Sequence, residues 1–286
     1  MTYNYKYSYR AVAFLDVLGF KNKLQEFEQD AEKFYNDQRN TSDDDTMDES
    51  NVENGHFYYS SKAADFIETF NSAISKLDKD KFSYYLFSDN ICITAHNSED
   101  DAKLLIELLL VVSELYYEFI KKGYFLRGGI DYGLFIDKSS IALGIPLANA
   151  YQIESLQAVF PRIVLSNNFI KQLEDYTNRG YEGFLSILAN TLIKKSCEIH
   201  YLNVFVHIFK VEDKEIFFNR YCESISTNLE SSIEKENIFL KYQWLANEYD
   251  SFIEEYTSSL AYYDEDYEPT EEYIEKVKQS RITYGH

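Results

Sequence analysis

Cysteine, proline and basic residues are scarce in this chain of 286 residues, and histidine motifs are missing. Each of these absences excludes some classes of protein or kinds of site. The three cysteines, at positions 92, 197 and 222, form no CxxC pair, which argues against a disulfide framework. The five histidines form no HxxxH or HExxH pattern, so a zinc site is not expected. With 28 basic against 48 acidic side chains, the net charge is −20. A surface of that sign repels DNA, RNA and anionic membranes.

Long apolar runs are also missing. The longest, Leu104 to Val112, is interrupted by Glu107 and is too short to cross a membrane. The first ten residues are polar and contain no apolar stretch of the kind found in signal peptides. These features predict a cytoplasmic protein that binds neither nucleic acid nor membrane.

Apolar residues are abundant. They make up 45% of the chain and include 26 tyrosines and 21 phenylalanines. This composition favours a compact α/β protein with a real core. We expect a catalytic core over residues 1–180, with an acidic, mobile insertion at 40–54 that carries six acids and no base. We expect residues 181–286 to complete the core and to form a helical extension.

Hydrophobic periodicity predicts alternating strands and helices. Strands are expected at 9–16, 125–137 and 161–166, a hairpin at 83–95, and helices at 18–37, 60–77, 98–122 and 167–176. Residues 144–157 are expected to begin as a loop and to become a helix. The segment 200–211 is strand-like, and 228–260 is helical. This order is typical of a split βαβ, ferredoxin-like palm, an α+β fold with a mixed sheet flanked by helices, in which the first strand lies beside the hairpin.

Two aspartates stand at the ends of apolar strands, Asp16 in AVAFLDVLGF and Asp89 in SYYLFSDNICITA. An unpaired buried carboxylate costs several kcal/mol, so each needs a partner. Two carboxylates together with substrate phosphates are a usual way of binding Mg²⁺. The pair therefore indicates a phosphoryl-transfer enzyme. The alternatives are that Asp16 caps the following helix and that Asp89 only forms the hairpin turn.

Further candidates have structural alternatives. Arg127 is either a phosphate contact or half of an ion pair, and Arg162 either stabilises a transition state or anchors a loop. Lys194 and Lys195 are either substrate contacts or a solvated pair. Asp131, beside two glycines in a strand, either lines a cleft or faces solvent.

The motifs F-L-D-x-L-G-F, F-S-D-N, L-R-G-G-I-x-x-G, A-N-A-Y-x-I-E-S and P-R-I-V-L-S follow one another over residues 10–170. In this order they resemble the catalytic domain of class III nucleotide cyclases, in particular the bacterial pyrimidine cyclases of the Pycsar antiphage system. The resemblance implies that Asp16 and Asp89 bind two Mg²⁺ or Mn²⁺ ions, helped by the carbonyl of Val17. It also implies that the turn formed by Val17, Leu18, Gly19 and Phe20 holds the triphosphate through backbone amides at a helix N-terminus.

By the same resemblance, Arg127 matches the arginine of the Arg-x-Gly-Ile strand and acts in catalysis, and Glu154 matches the glutamate that closes the helix motif. A homodimer with sites at the subunit interface is implied. The chain departs from purine cyclases, which carry asparagine and arginine where this chain has Ala148 and Gln152, with Asn149 shifted by one. That departure points to UTP or CTP as substrate and cyclic UMP or cyclic CMP as product, sensed by a separate effector in antiphage signalling. The alternatives are a palm-fold dinucleotide or oligonucleotide synthase and a non-catalytic nucleotide sensor.

Overall fold

In a computed structural model of the chain, the described residues are 6–41, 58–96, 102–138, 141–177, 184–260 and 271–282. The strands are β1 Ser8–Val17, β2 Phe82–Phe87, β3 Asn90–Ala95, β4 Leu126–Lys138, β5 Ile141–Gly144, β6 Ile163–Leu165, β7 Ile193–Ser196 and β8 Ile199–Leu202. The helices are α1 Phe20–Thr41, α2 Ser61–Ser75, α3 Ala102–Ile120, α4 Ile145–Leu156, α5 Asn167–Thr177, α6 Phe184–Leu192, α7 Lys214–Ser231, α8 Glu236–Leu260 and α9 Glu271–Gln279. A 3-10 helix spans Val204–Lys210.

The strands form one mixed sheet in the order β2-β3-β1-β4-β6-β8-β7, and β5 pairs with the far end of β4. The pairs β1–β3 and β1–β4 are antiparallel, whereas β4–β6 is parallel. The central position of β1 follows from its sequence, because residues 11–15 are all apolar and all buried. A continuous apolar strand is stable only where both faces of the sheet are covered. The predicted fold class, a mixed sheet flanked by helices, is confirmed, as is the predicted pairing of the first strand with the hairpin.

The chain divides into two units. One comprises residues 1–18 and 77–286 and contains the sheet; the other comprises residues 19–76. Within the second unit, α1 and α2 pack through the rings of Phe20, Phe27 and Phe66, and the Ser60 hydroxyl caps α2 by accepting the Ala63 N–H. The predicted boundary at residue 180 stays a prediction, although β7 and β8, which follow it, belong to the same sheet as β1.

Two local predictions were wrong, and one short strand was missed. Residues 204–210 form a 3-10 helix and not a strand, because Asn203 accepts the Phe205 N–H and starts a turn. The run 204–208 is buried at every position, and a short run of that kind has no periodicity to separate helix from strand. The segment at 144–157 is helical from Ile145, since Pro146 is well suited to a first helical turn. The short strand β5 was not predicted.

The acidic stretch predicted to be an insertion lies outside the described residues from position 42 onward, while 40 and 41 end α1. None of the helices in the described part of the chain combines the length and the apolarity that a membrane crossing requires.

Candidate active site

Asp16 lies near the end of β1, in register with Asn90 on β3 and with Arg127 on β4. This placement follows from the central position of β1, which brings a neighbouring strand to each side of the carboxylate. Only 14% of the Asp16 side chain is exposed. Asp16, which the sequence analysis places at the end of a strand, is therefore largely shielded from water. Its negative charge has to be balanced by neighbouring side chains.

Arg127 joins two carboxylates. Its Nε donates to Asp16 Oδ2 at 2.8 Å, and its Nη2 lies 2.7 Å from Glu154 Oε1. Glu154 is on α4 and is almost fully buried, whereas Arg127 keeps 26% of its side chain exposed. The guanidinium thus neutralises a buried glutamate on one side and reaches Asp16 on the other. Of the two interpretations of Arg127, the structural ion pair is therefore present. Part of the paired guanidinium is still exposed to solvent.

A close approach of α4 to β4 positions Glu154. A Cβ added at Gly129 would lie 2.3 Å from the Ala150 carbonyl oxygen, a distance that no side chain tolerates, so only glycine lets the helix pack this near. At the opposite end of the contact, Asn149 Nδ2 donates to Asp131 Oδ2 at 2.8 Å. The helix is therefore fixed to the strand at two polar points with Gly129 between them.

Asp131 does not face solvent, because only 1% of its area is exposed. It belongs to the lining of a pocket of about 210 Å³, together with Asn149 and Ser166, so the interpretation in which Asp131 lines a cleft stays a prediction. Its carboxylate accepts hydrogen bonds from Asn149 and from the Ser166 hydroxyl. The Ser166 hydroxyl oxygen in turn accepts the Phe169 N–H at the start of α5. Asp131 thus ties together β4, α4 and α5, and the amide of Asn149 is committed to this network.

The electrostatic state of Asp16 is unusual for an aspartate next to an arginine. The pKa of Asp16 is raised to about 6, chiefly by burial; the hydrogen bond and charge of Arg127 act to lower it, and the charges of Glu154 and Asp89 add to the rise. Burial and the two neighbouring carboxylates therefore outweigh the single guanidinium. The carboxylate of Asp16 is short of positive charge in this arrangement.

Asp89 lies in the two-residue turn between β2 and β3, where Ser88 adopts a φ of 59°. Asn90 Nδ2 donates to the Phe87 carbonyl and to Asp89 Oδ1, both at 3.2 Å, which holds the turn. Asn90 is the β3 partner of Asp16, and the charge of Asp89 reaches Asp16. Asp89 therefore does form the hairpin turn, while the sharing of a metal ion between Asp89 and Asp16 stays a prediction.

The four residues of the predicted phosphate-binding turn, 17–20, differ from one another in local structure. Val17 is buried and ends β1, and the Leu18 N–H donates to the Phe125 carbonyl at 2.8 Å, so this amide is already used. Gly19 and Phe20 belong to the second unit. Gly19 has a φ of +75°, a left-handed conformation that glycine adopts at no steric cost, and Phe20 begins α1.

The other basic candidates have internal partners. The Arg162 guanidinium lies over the rings of Phe160, Tyr201 and Trp244. It also donates to the Gln157 carbonyl at 3.0 Å, which fits the anchoring role. Lys194 pairs with Glu248 and Glu255, and Lys195 with Glu198. None of these contacts involves Asp16, Asp89 or Arg127.

Sequence reasoning missed one basic residue of the site. Lys241 on α8 interacts electrostatically with both Arg127 and Asp16. No local pattern marks it, because it is one lysine in a long helix more than 220 positions from Asp16. Only the packing of α8 against the end of the sheet could reveal it.

The donor set can be tested for a divalent cation. Among the described residues there is no cluster of three or more His, Cys, Asp or Glu side chains arranged to hold a metal. The site instead offers two carboxylates on neighbouring strand ends, one of them short of positive charge. Mg²⁺ is commonly bound by one or two carboxylates plus waters and substrate phosphates, so the residues present fit an ion that arrives with a polyphosphate.

Comparison with known proteins gives a distant structural likeness. No family model matches the chain, and no curated protein matches it. Among solved structures, the guanylyl cyclase Cya2 is similar over 69% of this chain and 92% of its own, with 9% sequence identity and a TM-score of 0.38. A likeness this distant does not establish a shared activity, which has to be argued from the site itself.

Proposed function

We propose that this protein is a divalent-cation-dependent nucleotide cyclase that converts UTP or CTP into the 3′,5′-cyclic monophosphate and pyrophosphate. The observation that carries the proposal is the Asp16 carboxylate, which is largely buried, close to a second aspartate, and undercompensated by Arg127. Carboxylates whose pKa is perturbed by burial and by neighbouring charges cluster at functional sites, and a ligand for a cation is one such carboxylate.

The reaction would join the ribose 3′-oxygen to the α-phosphorus and break the bond from that phosphorus to the bridging oxygen of the β-phosphate. Pyrophosphate leaves, and the 3′-hydroxyl proton passes to solvent. Divalent ions at such a site activate the hydroxyl and neutralise charge on the phosphates. Asp16 and Asp89, with the Val17 carbonyl, would hold them there. Arg127 would offer the exposed part of its guanidinium to phosphate oxygens while Glu154 fixes its orientation.

The choice of a pyrimidine substrate rests on Ala148 and Gln152 and on the resemblance of the motifs to pyrimidine cyclases. Both side chains are exposed on α4, and neither supplies the arginine that purine cyclases place there. Asn149, one position away, is bonded to Asp131 and does not replace the missing asparagine. Cytoplasmic antiphage signalling through a separate effector is part of the same proposal and is supported by the resemblance alone.

A homodimer is also proposed. Large apolar side chains are exposed along β5 and α4, next to the positions just discussed: Ile141, Leu143, Ile145, Leu156 and Val159. Ile145 and Leu156 expose 72% and 75% of their area. Exposed large apolar side chains that form a patch are typical of a subunit interface. Sedimentation equilibrium of the full chain would test this, with a monomer at micromolar concentration as the contrary result.

The activity is tested by incubating the purified protein with each of the four ribonucleoside triphosphates and Mn²⁺, and by identifying products by mass. We expect cyclic UMP or cyclic CMP. The Asp89→Asn variant should lose the activity, while Asp80→Asn, in an exposed turn of the same sheet, should keep it.

The outcomes separate the competing functions. A linear or cyclic dinucleotide product would identify a palm-fold synthase, and triphosphate binding without any turnover would identify a sensor. Either result, or full activity of Asp89→Asn, would overturn the cyclase proposal.

A further inference from the structure

A polar cleft lies between helix α8 and the β7–β8 hairpin. Its volume is about 730 Å³, which is within the range of small-molecule sites. Among the described residues that line this cleft there is no Asp16, Asp89 or Arg127. The cleft is therefore separate from the site proposed for cyclisation.

Both walls of the cleft carry polar side chains. On α8, the polar residues of the lining recur at helical spacing and so share one face of the helix: Glu248, Ser251, Glu255 and Ser259. On the hairpin, Lys194 lies directly across from Tyr201 in the β7–β8 register, and both line the cleft. A packed core avoids polar walls of this kind, whereas a binding site for a polar molecule requires them.

Lys194 has carboxylates nearby but makes no hydrogen bond with them. Its side chain is only 18% exposed. Its ammonium nitrogen is 3.6 Å from Glu255 Oε1 and 3.9 Å from Glu248 Oε2, longer than the roughly 2.7–2.9 Å of a charged hydrogen bond. Within the described ranges of the chain, this ammonium forms no hydrogen bond. Its three N–H donors therefore remain available to a molecule in the cleft.

The two carboxylates on α8 also keep acceptor sites open. Glu248 Oε2 accepts the Tyr201 hydroxyl at 3.1 Å, a contact that joins the two walls at one point. Glu255 is 62% exposed and, in the part of the chain that the structure describes, accepts no hydrogen bond. A carboxylate has about four acceptor positions, so both side chains have positions left for a ligand.

The charges of the cleft disfavour an ionic ligand. Lys195 also lines the cleft, but it pairs with Glu198 at 2.7 Å, which leaves Lys194 against two carboxylates. A phosphate would be repelled by that excess of negative charge, and an ammonium would compete with Lys194. A hydroxyl group suits both kinds of side chain, because it donates to a carboxylate and accepts from an ammonium. Acidic side chains bind the ribose hydroxyls of dinucleotides in this way.

An exposed aromatic ring completes the lining. Phe209, near the end of the 3-10 helix, exposes 60% of its area and borders the cleft. Flat rings of ligands stack on aromatic side chains of this kind. We infer that the cleft binds a neutral ring compound with neighbouring hydroxyl groups, a nucleoside or a free sugar, through Lys194, Glu248 and Glu255. This second site does not depend on the proposed cyclase activity.

Uridine, adenosine and ribose are the probes, and their binding to the full-length protein is measured by calorimetry at millimolar concentration. We expect binding of at least one of them, and none of its 2′,3′-dideoxy analogue, which lacks both hydroxyls. Glu255→Gln should weaken binding about tenfold, as for loss of a charge-assisted hydrogen bond. Glu236→Gln, exposed on the same helix but outside the cleft, should bind as the unmodified protein does. Thermal unfolding of both variants shows that the fold is retained.

A nucleoside that binds more tightly than ribose would identify a nucleoside site, and equal affinities would identify a sugar site. The inference is overturned if none of the three probes binds, if the dideoxy analogue binds equally well, or if Glu255→Gln and Glu236→Gln have the same affinity. Asp89→Asn distinguishes this cleft from the candidate active site, because it should leave the affinity unchanged. A loss of binding in Asp89→Asn would place the ligand at the active site instead.

Discussion

The two ends of the β1–β4 ladder each carry an Asp–Arg pair, and the two pairs behave in opposite ways. At one end, Arg10 pairs with Asp137, which also accepts hydrogen bonds from the hydroxyls of Tyr85 and Thr94. Burial alone would raise the pKa of Asp137, but these hydrogen bonds and the Arg10 charge lower it below its ordinary value. At the other end, Asp16 has one donor, Arg127, and its pKa is raised to about 6.

Each of the two aspartates has an arginine beside it, so the arginine does not explain why their pKa values differ. The pKa values differ because the two carboxylates receive different numbers of hydrogen bonds. Asp137 receives neutral hydroxyl donors, and among the described residues it shares its arginine with no other carboxylate. Asp16 shares Arg127 with Glu154 and lies near Asp89. A satisfied pair of this kind stabilises a fold, whereas an undersupplied carboxylate is characteristic of a binding site. The comparison therefore separates a well-supplied ion pair from an undersupplied one on the same two strands, and the undersupplied pair is the candidate functional one.

Catalysis should separate the two pairs most strongly. We expect Asp16→Asn to lower kcat/KM for cyclisation by about 10³-fold or more, because an amide neither carries the charge nor holds a cation as a carboxylate does. Asp137→Asn should retain activity within a few-fold, measured below its unfolding temperature. Equal losses in both variants would mean that the reaction depends on the fold of the ladder and not on the Asp16 site.

Stability should rank the pairs in the reverse order. Asp137→Ala leaves Arg10 partly buried and unpaired, so we expect the free energy of unfolding in urea to fall by about 3 kcal/mol. Asp16→Asn should change it by less than about 1 kcal/mol at pH 7, since the ionised Asp16 carboxylate is itself destabilising. A larger loss from Asp16→Asn than from Asp137→Ala would contradict the contrast drawn here.

The pH dependence of stability should also differ in sign. Without divalent ions, native Asp16 holds its proton more tightly than the unfolded chain does, over the pH window between its ordinary pKa of 3.8 and its raised pKa of about 6. Its contribution to the free energy of unfolding should therefore fall as the pH rises through that window and stay constant above it. Asp137, with its lowered pKa, contributes stability above pH 3.8 that is lost as the pH falls further. Urea unfolding of Asp16→Asn and Asp137→Asn against the unmodified protein, from pH 3 to pH 7, measures both contributions. A stability difference for Asp16→Asn that does not vary with pH would refute the assignment.

The smallest expected effect is stabilisation by metal. An ion at ten times its dissociation constant adds about 1.4 kcal/mol to the free energy of unfolding. For a chain of this size that raises Tm by roughly 2–4 °C. We expect Mg²⁺ or Mn²⁺ to produce this shift in the unmodified protein and in Asp137→Asn but not in Asp16→Asn, as followed by circular dichroism. A shift that persists in Asp16→Asn would place the ion elsewhere.

Much of the secondary structure could be predicted from local pattern. The predicted strand at 9–16 is one residue shorter than β1 at each end, and the predicted helix at 167–176 is one residue shorter than α5 at its C-terminal end. Their periodicity is regular, and polar or turn-forming residues bound them. The 3-10 helix at Val204–Lys210 was not predictable in this way, because a uniformly buried run has no polar face to report its period.

The candidate site likewise contains residues that local sequence pattern could identify and residues that it could not. Asp16 and Asp89 stand out in the sequence because each interrupts or follows an apolar strand, and local pattern suffices to select them. That Arg127 is shared between Asp16 and Glu154 depends on how closely α4 approaches β4 at Gly129, which no local pattern encodes. Lys241 is even harder to predict from the sequence, because its position depends on how α8 packs against Phe125.

The order of strands and helices, the two strand-end aspartates and the strongly acidic character were determined by the sequence alone, because each depends on neighbours within a few residues or on composition. Which charges meet was decided only by the tertiary structure. Arg127 lies between two carboxylates, and Asp16 is left short of positive charge, because burial and distance set electrostatic energies, and both arise from contacts between residues far apart in the chain.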